Sequence, residues 1–379
     1  VHLEANAGCP GGIAVVNSDY QSTNVSVLSP SGALLSESMI SSGSAPPGLS
    51  AALSGDVVLP SVAPASGRLV LIDRTLNVVS WIELATAAVS AQLSVATGFA
   101  SNPHDYLEVA ASKAYVTRFQ TNPHPGSEPN DGGGDILILD QQNFAITGRI
   151  ELATDGDGQF FPSPSELLAV NGTAWVMLER FDAAFNGADA RIVGVASDDD
   201  AIAWSLDLPG IANCGAMVRD PTGKRVAAAC TGVFADADPA VRSGVVLLDA
   251  TVEPPVELGR FDVAAVLGSV PGPSLGWASD GTLVGSTDGN LVGGVPDSAY
   301  SIDTTSGTIS ALFDAGTAFV LGSALCSPGC SDSCFLADAN AKVLRSWQAS
   351  GSELTRGHDV AVDPRIGLPP RVLGFLLVK

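Results

Sequence analysis

Short runs of apolar residues alternate with small or polar ones along almost the whole chain, as in "RLVLID", "DILILD", "GVVLLD" and "AYSID". A period of two places successive side chains on opposite faces of a strand. The runs come in sets. Each set opens on a hairpin with one grammar: Pro, a polar pair, an apolar alternation, a small turn, then an aromatic-rich alternation. "NPHDYLEVAASKAYVTRF", Asn102 to Phe119, shows it in full, and related hairpins start near Pro46, Ser163, Ala212, Gly272 and Leu368. A third strand, often ending in Asp, and a fourth, such as "ITGRIEL" or "TISALFD", complete each set. Four strands recurring roughly every 45 to 60 residues predict propeller blades.

The predicted blade-opening strands begin near Pro47, Pro103, Pro164, Asn213, Pro273 and Phe319, with a seventh in the C-terminal "PPRVLGFLL". The N-terminal "GGIAVVNSDY", "NVSVLSP" and "LLSESMI" supply only three strands. The C-terminal strand is expected to fill the missing inner place, which closes the ring and removes an unpaired edge. The expectation is an all-β chain: one seven-bladed β-propeller of four-stranded blades spanning residues 1–379, with residues 1–10 a short lead-in carrying Cys9.

"KAYVTRF" and the rhythm around it resemble the YVTN family of seven-bladed β-propellers, over nearly the whole chain. Arg118 stands where that family has Asn, and blade four carries "TAWVMLER". The resemblance implies the fold. It leaves open surface, periplasmic and enzymatic roles, all of which family members fill.

Composition agrees with short strands and many turns: 41 Gly, 24 Pro and only 15% charged residues. Forty acidic against eighteen basic residues give a net charge of -22, a field that repels phosphate backbones and anionic lipid headgroups. Nucleic acid is therefore not an expected partner. No run approaches the roughly 18 to 20 apolar residues of a membrane span. The chain starts at Val1, which we read as the start of a processed, exported product.

Six cysteines in an exported chain favour disulfides. Cys214 and Cys230 are equidistant from the turn in "DPTGK", so they are expected to face each other across a hairpin. Cys326 and Cys334 are symmetric about Cys330 in "CSPGCSDSC". Cys330 and Cys9 remain, and ring closure makes their blades neighbours, which predicts a staple contributing about 3 to 5 kcal/mol. A thiol metal site is the alternative, at a spacing unlike common zinc knuckles. No C-x-x-C-H haem motif, G-x-S-x-G elbow, H-E-x-x-H motif or phosphate-cradling glycine loop occurs.

Chemistry is expected on the face where inner strands begin, because the longest loops, "QTNPHPGSEPNDGGG", "DAAFNGAD" and "GVFADADPAVRS", belong to blades three to five on that face. Aligned inner strands put His104, Asp105, Glu166, Asn213 and Arg371 at the channel mouth, with Arg118 and Arg180 ending adjoining strands. Such a group suits an anion or a peptide carboxylate, or else links the blades. Asp155 and Asp157 in "TDGDG", with Asp131 or Asp135 contributing, form a candidate Ca²⁺ loop beside an ordinary turn reading.

Two functions follow. One is a secreted, periplasmic or surface module that binds a protein, peptide or glycan. The other is an enzyme resembling the calcium-dependent propeller lactonases, with Glu166, Asp105 and His104 as candidates for ligation and proton transfer.

Overall fold

The computed structural model describes residues 1, 3, 8–152 and 158–378. Among these, strands form seven antiparallel sheets, and one five-residue α-helix, Val263–Leu267, is present. The inner strands are Val57–Val58 in blade two, Pro103–Ala110 in blade three, Pro164–Val170 in blade four and Cys214–Arg219 in blade five. Val270–Trp277 and Leu321–Cys326 open blades six and seven. Blade one is assembled from both termini: Pro370–Leu376 is its inner strand and pairs with Gly12–Ser18, with Ile13 opposite Phe375 and Val15 opposite Leu373. The chain is a seven-bladed β-propeller.

Alternation explains why the strands are apolar on both sides. In the second strand of blade two, Leu69 and Leu71 pack with blade one, while Val70 and Ile72 pack with blade three. Among the described residues, seven apolar clusters fill the junctions between neighbouring blades, and a small eighth joins Phe119, Phe181, Ala212 and Val233. A strand buried on both faces needs apolar residues at every position, and these blades supply them.

The three expected disulfides are present. Cys214–Cys230 and Cys326–Cys334 each cross-link a hairpin, and Cys9–Cys330 joins residues 321 positions apart across the ring closure. No helix among the described residues is long and apolar enough to cross a membrane.

Blade two departs from expectation. Its inner strand was expected near Pro47, but residues 46–55 form a connection and the ladder starts at Val57. Pro46 and Pro47 have no N–H for a ladder, and Leu49 and Leu53 anchor the segment in the junction between blades one and two. "RLVLID" is therefore the second strand of its blade.

Candidate functional site

Six of the seven inner strands begin with an irregularity in the ladder, blade two being the exception. In blades three, four and six the pairing slips before Tyr106, Leu167 and Leu275, so Asp105, Glu166 and Ser274 occupy equivalent places. A slipped ladder leaves backbone N–H groups to be satisfied elsewhere. The three side chains meet that need across blades. Asp105 Oδ2 accepts from Leu167 N at 2.7 Å, Glu166 Oε2 accepts from Met217 N, and Ser274 Oγ accepts from Ala324 N at 2.7 Å. Asp105 Oδ1 also accepts from Ser61 N and Tyr106 N, at 2.9 and 2.7 Å. Asp105 and Glu166 thus clasp neighbouring blades through backbone N–H groups.

The inner-strand starts and second-strand ends enclose a central cavity of about 540 Å³. His104, Asp105, Glu166, Asn213 and Arg371 all line it, as the sequence predicts. Asn213 turns back on its own hairpin, donating through Nδ2 to Thr231 Oγ1 at 2.6 Å and to the Gly232 carbonyl at 2.9 Å. Arg371 lies over the Tyr20 ring, 4.9 Å from its centroid, and donates to the Ser18 carbonyl at 3.3 Å.

Arg118 and Arg180 do not line the cavity, contrary to expectation. Arg118 is fully buried inside blade three, where Nε and Nη2 donate to the two Asp135 oxygens at 2.7 and 2.6 Å and Nη2 also reaches the Asn130 carbonyl. The Phe99 ring lies over its guanidinium. Its register partner is Pro103, whereas Pro164 pairs with Leu178, so Arg118 corresponds to Leu178 and not to Arg180. Arg180 has a positive φ of 58°, which turns it away to donate to the Asp189 carbonyl at 2.8 Å.

Glu179, Asp288, Asp56 and Arg74 are cavity residues that sequence alignment missed. Glu179 follows the last paired residue of its strand and is only 8% exposed. Arg74 donates through Nε to Asp56 at 2.9 Å. Among the described residues, no cation comes within ion-pair distance of Glu179 or Asp288, although the Ser165 hydroxyl lies beside Glu179. The cavity therefore holds five carboxylates and two guanidinium groups.

Burial dominates their protonation. It pushes Glu179 up to about 8, against the hydrogen bond from Ser165 and the charge of Arg74. It pushes Asp288 up to about 7, helped by Asp297, and Asp105 up to about 6, against three backbone N–H groups. Glu166 is raised well above the carboxylate range by burial, then by Asp105 and Glu179. Burial, with the charge of Arg74, holds His104 down at about 3, so the ring stacked 4.4 Å from Phe119 is a neutral imidazole.

The candidate calcium loop is only partly visible. Asp155 and Asp157 lie outside the described residues. Asp131 closes its own turn, its carboxylate accepting from Gly126 N and its carbonyl from Asn122 Nδ2. Among the described residues no three His, Cys, Asp or Glu side chains are grouped to hold a metal ion.

No protein-family model and no curated protein matches the sequence. Solved structures match along nearly the whole chain. A protein from Lactobacillus plantarum is similar at 12% identity, covering 96% of this chain and 99% of its own, with a TM-score of 0.62. A Bacteroides fragilis protein described as a "putative 6-phosphogluconolactonase" is 12% identical over 97% of this chain and 98% of its own, TM-score 0.59. The Cps50 (Swd1) β-propeller domain of Myceliophteria thermophila is 8% identical over 92% and 99%, also at 0.59. At such identities the likeness carries the propeller fold.

Proposed function

We propose that this chain is a recognition module of the YVTN repeat type that works in an oxidising compartment, secreted, periplasmic or at a cell surface, and receives a segment of another protein on its cavity face. Peptide is favoured over glycan because the rim is apolar. Phe234 and Phe319, on the cavity wall, are 58% and 49% exposed, and Phe185, Leu291 and Val292 stand exposed on neighbouring loops of the same face. That apolar crown is the observation that carries the reading, since exposed apolar groups clustered on one face mark interaction surfaces. Three disulfides support the compartment.

A photo-crosslinking amino acid placed at Phe234 or at Phe319 tests the reading in the native source. One defined partner, joined from both positions but not from Val256 on an outer strand, is the expected result. Equal labelling from all three positions contradicts it.

The second reading is a hydrolase of lactonase type acting in the same cavity, with or without Ca²⁺. Carboxyl groups that hold protons near neutral pH beside a neutral imidazole favour it, because such groups can move protons. Turnover in a lactone and ester panel, lost in Glu166→Gln, is its expected result; no turnover on any member counts against it.

A further inference from the structure

We infer that the central cavity is a receptor for one cationic side chain, an ammonium or guanidinium group carried by the bound segment; this rests on reading the cavity face as a protein-recognition surface. The sequence points toward an anion site because it shows the arginines. The structure reverses the sign. Arg118 is sealed inside blade three, Arg74 is paired with Asp56, and Arg371 is held by Tyr20 and the Ser18 carbonyl.

Asp56, Asp105 and Glu166 have partners, but Glu179 and Asp288 have no ion pair among the described residues. Glu179 is more than nine-tenths buried, lines the cavity, and has no cation or N–H bonded to it among the described residues. Gly215 lines the cavity beside it, its Cβ position 3.9 Å from Glu179 Oε1 and 2.8 Å from Pro273 Cβ, so the backbone there packs closely on Pro273 with Glu179 next to it. Glu166 feels the like charges of Asp105 and Glu179, and Asp288 feels Asp297. Ionising Glu166 and Glu179 together around one void is opposed by their repulsion, and a single cation inserted between them relieves it. The cavity also falls within the range of small-ligand sites, roughly 300–1,000 Å³.

The rim fits the rest of such a side chain. Phe234 and Phe319 offer apolar surface to an alkyl stem and ring faces to its charge. Arg371 on Tyr20 already demonstrates a guanidinium seated on an aromatic ring at this mouth. The net charge of -22 draws a basic partner toward the molecule.

Protons supply an independent signature. Sharing the cavity wall with Glu179 are Arg371 from blade one, Asp56 and Arg74 from blade two, neutral His104 and Asp105 from blade three, Glu166 from its own blade and Asp288 from blade six. With Glu179 and Asp288 holding protons near pH 7, an entering cation drives them off. Binding therefore releases protons and tightens as pH rises from 6 to 8.

Calorimetry on the full chain with acetylated, amidated Gly-Phe-X-Phe-Gly peptides tests this, X being arginine, lysine, citrulline, norleucine or glutamate. The arginine or lysine peptide should bind about tenfold tighter than its neutral analogues and release protons on binding. Preference between the two identifies a guanidinium or an ammonium group. Glu179→Gln, and separately Asp288→Asn, should reduce the advantage over the neutral analogues. Equal binding of citrulline and arginine, preference for glutamate, or no saturable binding overturns the inference. If crosslinking at Phe234 and Phe319 persists in that case, the recognition face stands and only the cation is lost.

Discussion

Blade three and the central cavity bury charge in opposite ways. Arg118 and Asp135 are 0% and 1% exposed, and each meets its counter-charge through two parallel hydrogen bonds. Glu179, 8% exposed, lines the cavity with the Ser165 hydroxyl beside it and no ion pair among the described residues. A buried ion pair is tolerable when its geometry and hydrogen bonds are complete, and an uncompensated carboxyl answers burial by keeping its proton. The first arrangement closes a site. The second leaves the carboxyl group on an open cavity wall.

Removing half of the closed pair should have the largest effect. Arg118→Met leaves Asp135 buried with only a half-buried Arg149 nearby, at 3.3 Å, and should cost about 3 to 5 kcal/mol in urea denaturation. A change below about 1 kcal/mol would mean that the pair is not what holds this part of blade three.

Acid-to-amide exchanges sharpen the contrast, because the same chemistry should give opposite signs. Asp105→Asn places an amide where one oxygen accepts from Leu167 N and the other from Ser61 N and Tyr106 N. An NH₂ group cannot accept, so a loss of about 1 to 3 kcal/mol is expected near pH 7. Matched stability of the variant and the parent would show that Asp105 is no clasp.

Glu179→Gln should do less, and its sign should depend on pH. The ordinary value of 4.5 is raised to about 8 in the folded chain, so the fold holds this proton more tightly than the unfolded state does. Stability from this group is complete below about pH 4.5 and is lost as pH rises through about 8. The variant should lie within about 1 kcal/mol of the parent at pH 5 and gain on it toward pH 9. A constant difference across that range would count against a retained proton.

The sequence made the architecture legible because blade packing is a local pattern repeated. Alternation located six of the seven inner strands, the three-strand N-terminus required the C-terminal strand, and hairpin symmetry matched Cys214 with Cys230. Blade two was misread because its inner strand is two residues long, and Leu49 and Leu53, which mimic a strand, are loop anchors. His104, Asp105 and Glu166 were placed at the cavity by alignment. Their roles were not, since which backbone N–H each carboxylate meets depends on the neighbouring blade. Glu179 was overlooked beside Arg180 for a similar reason: the left-handed turn at Arg180 sends it outward while Glu179 stays on the cavity wall.

The most direct test is a pH titration of the side-chain carboxyl carbons by NMR in glutamate-labelled protein, with Glu179→Gln to assign the signal. The account predicts a glutamate resonance titrating near 8 that is missing from the variant. If every glutamate titrates below about pH 5, the cavity carboxylates are ionised and already compensated, and the open-site interpretation fails.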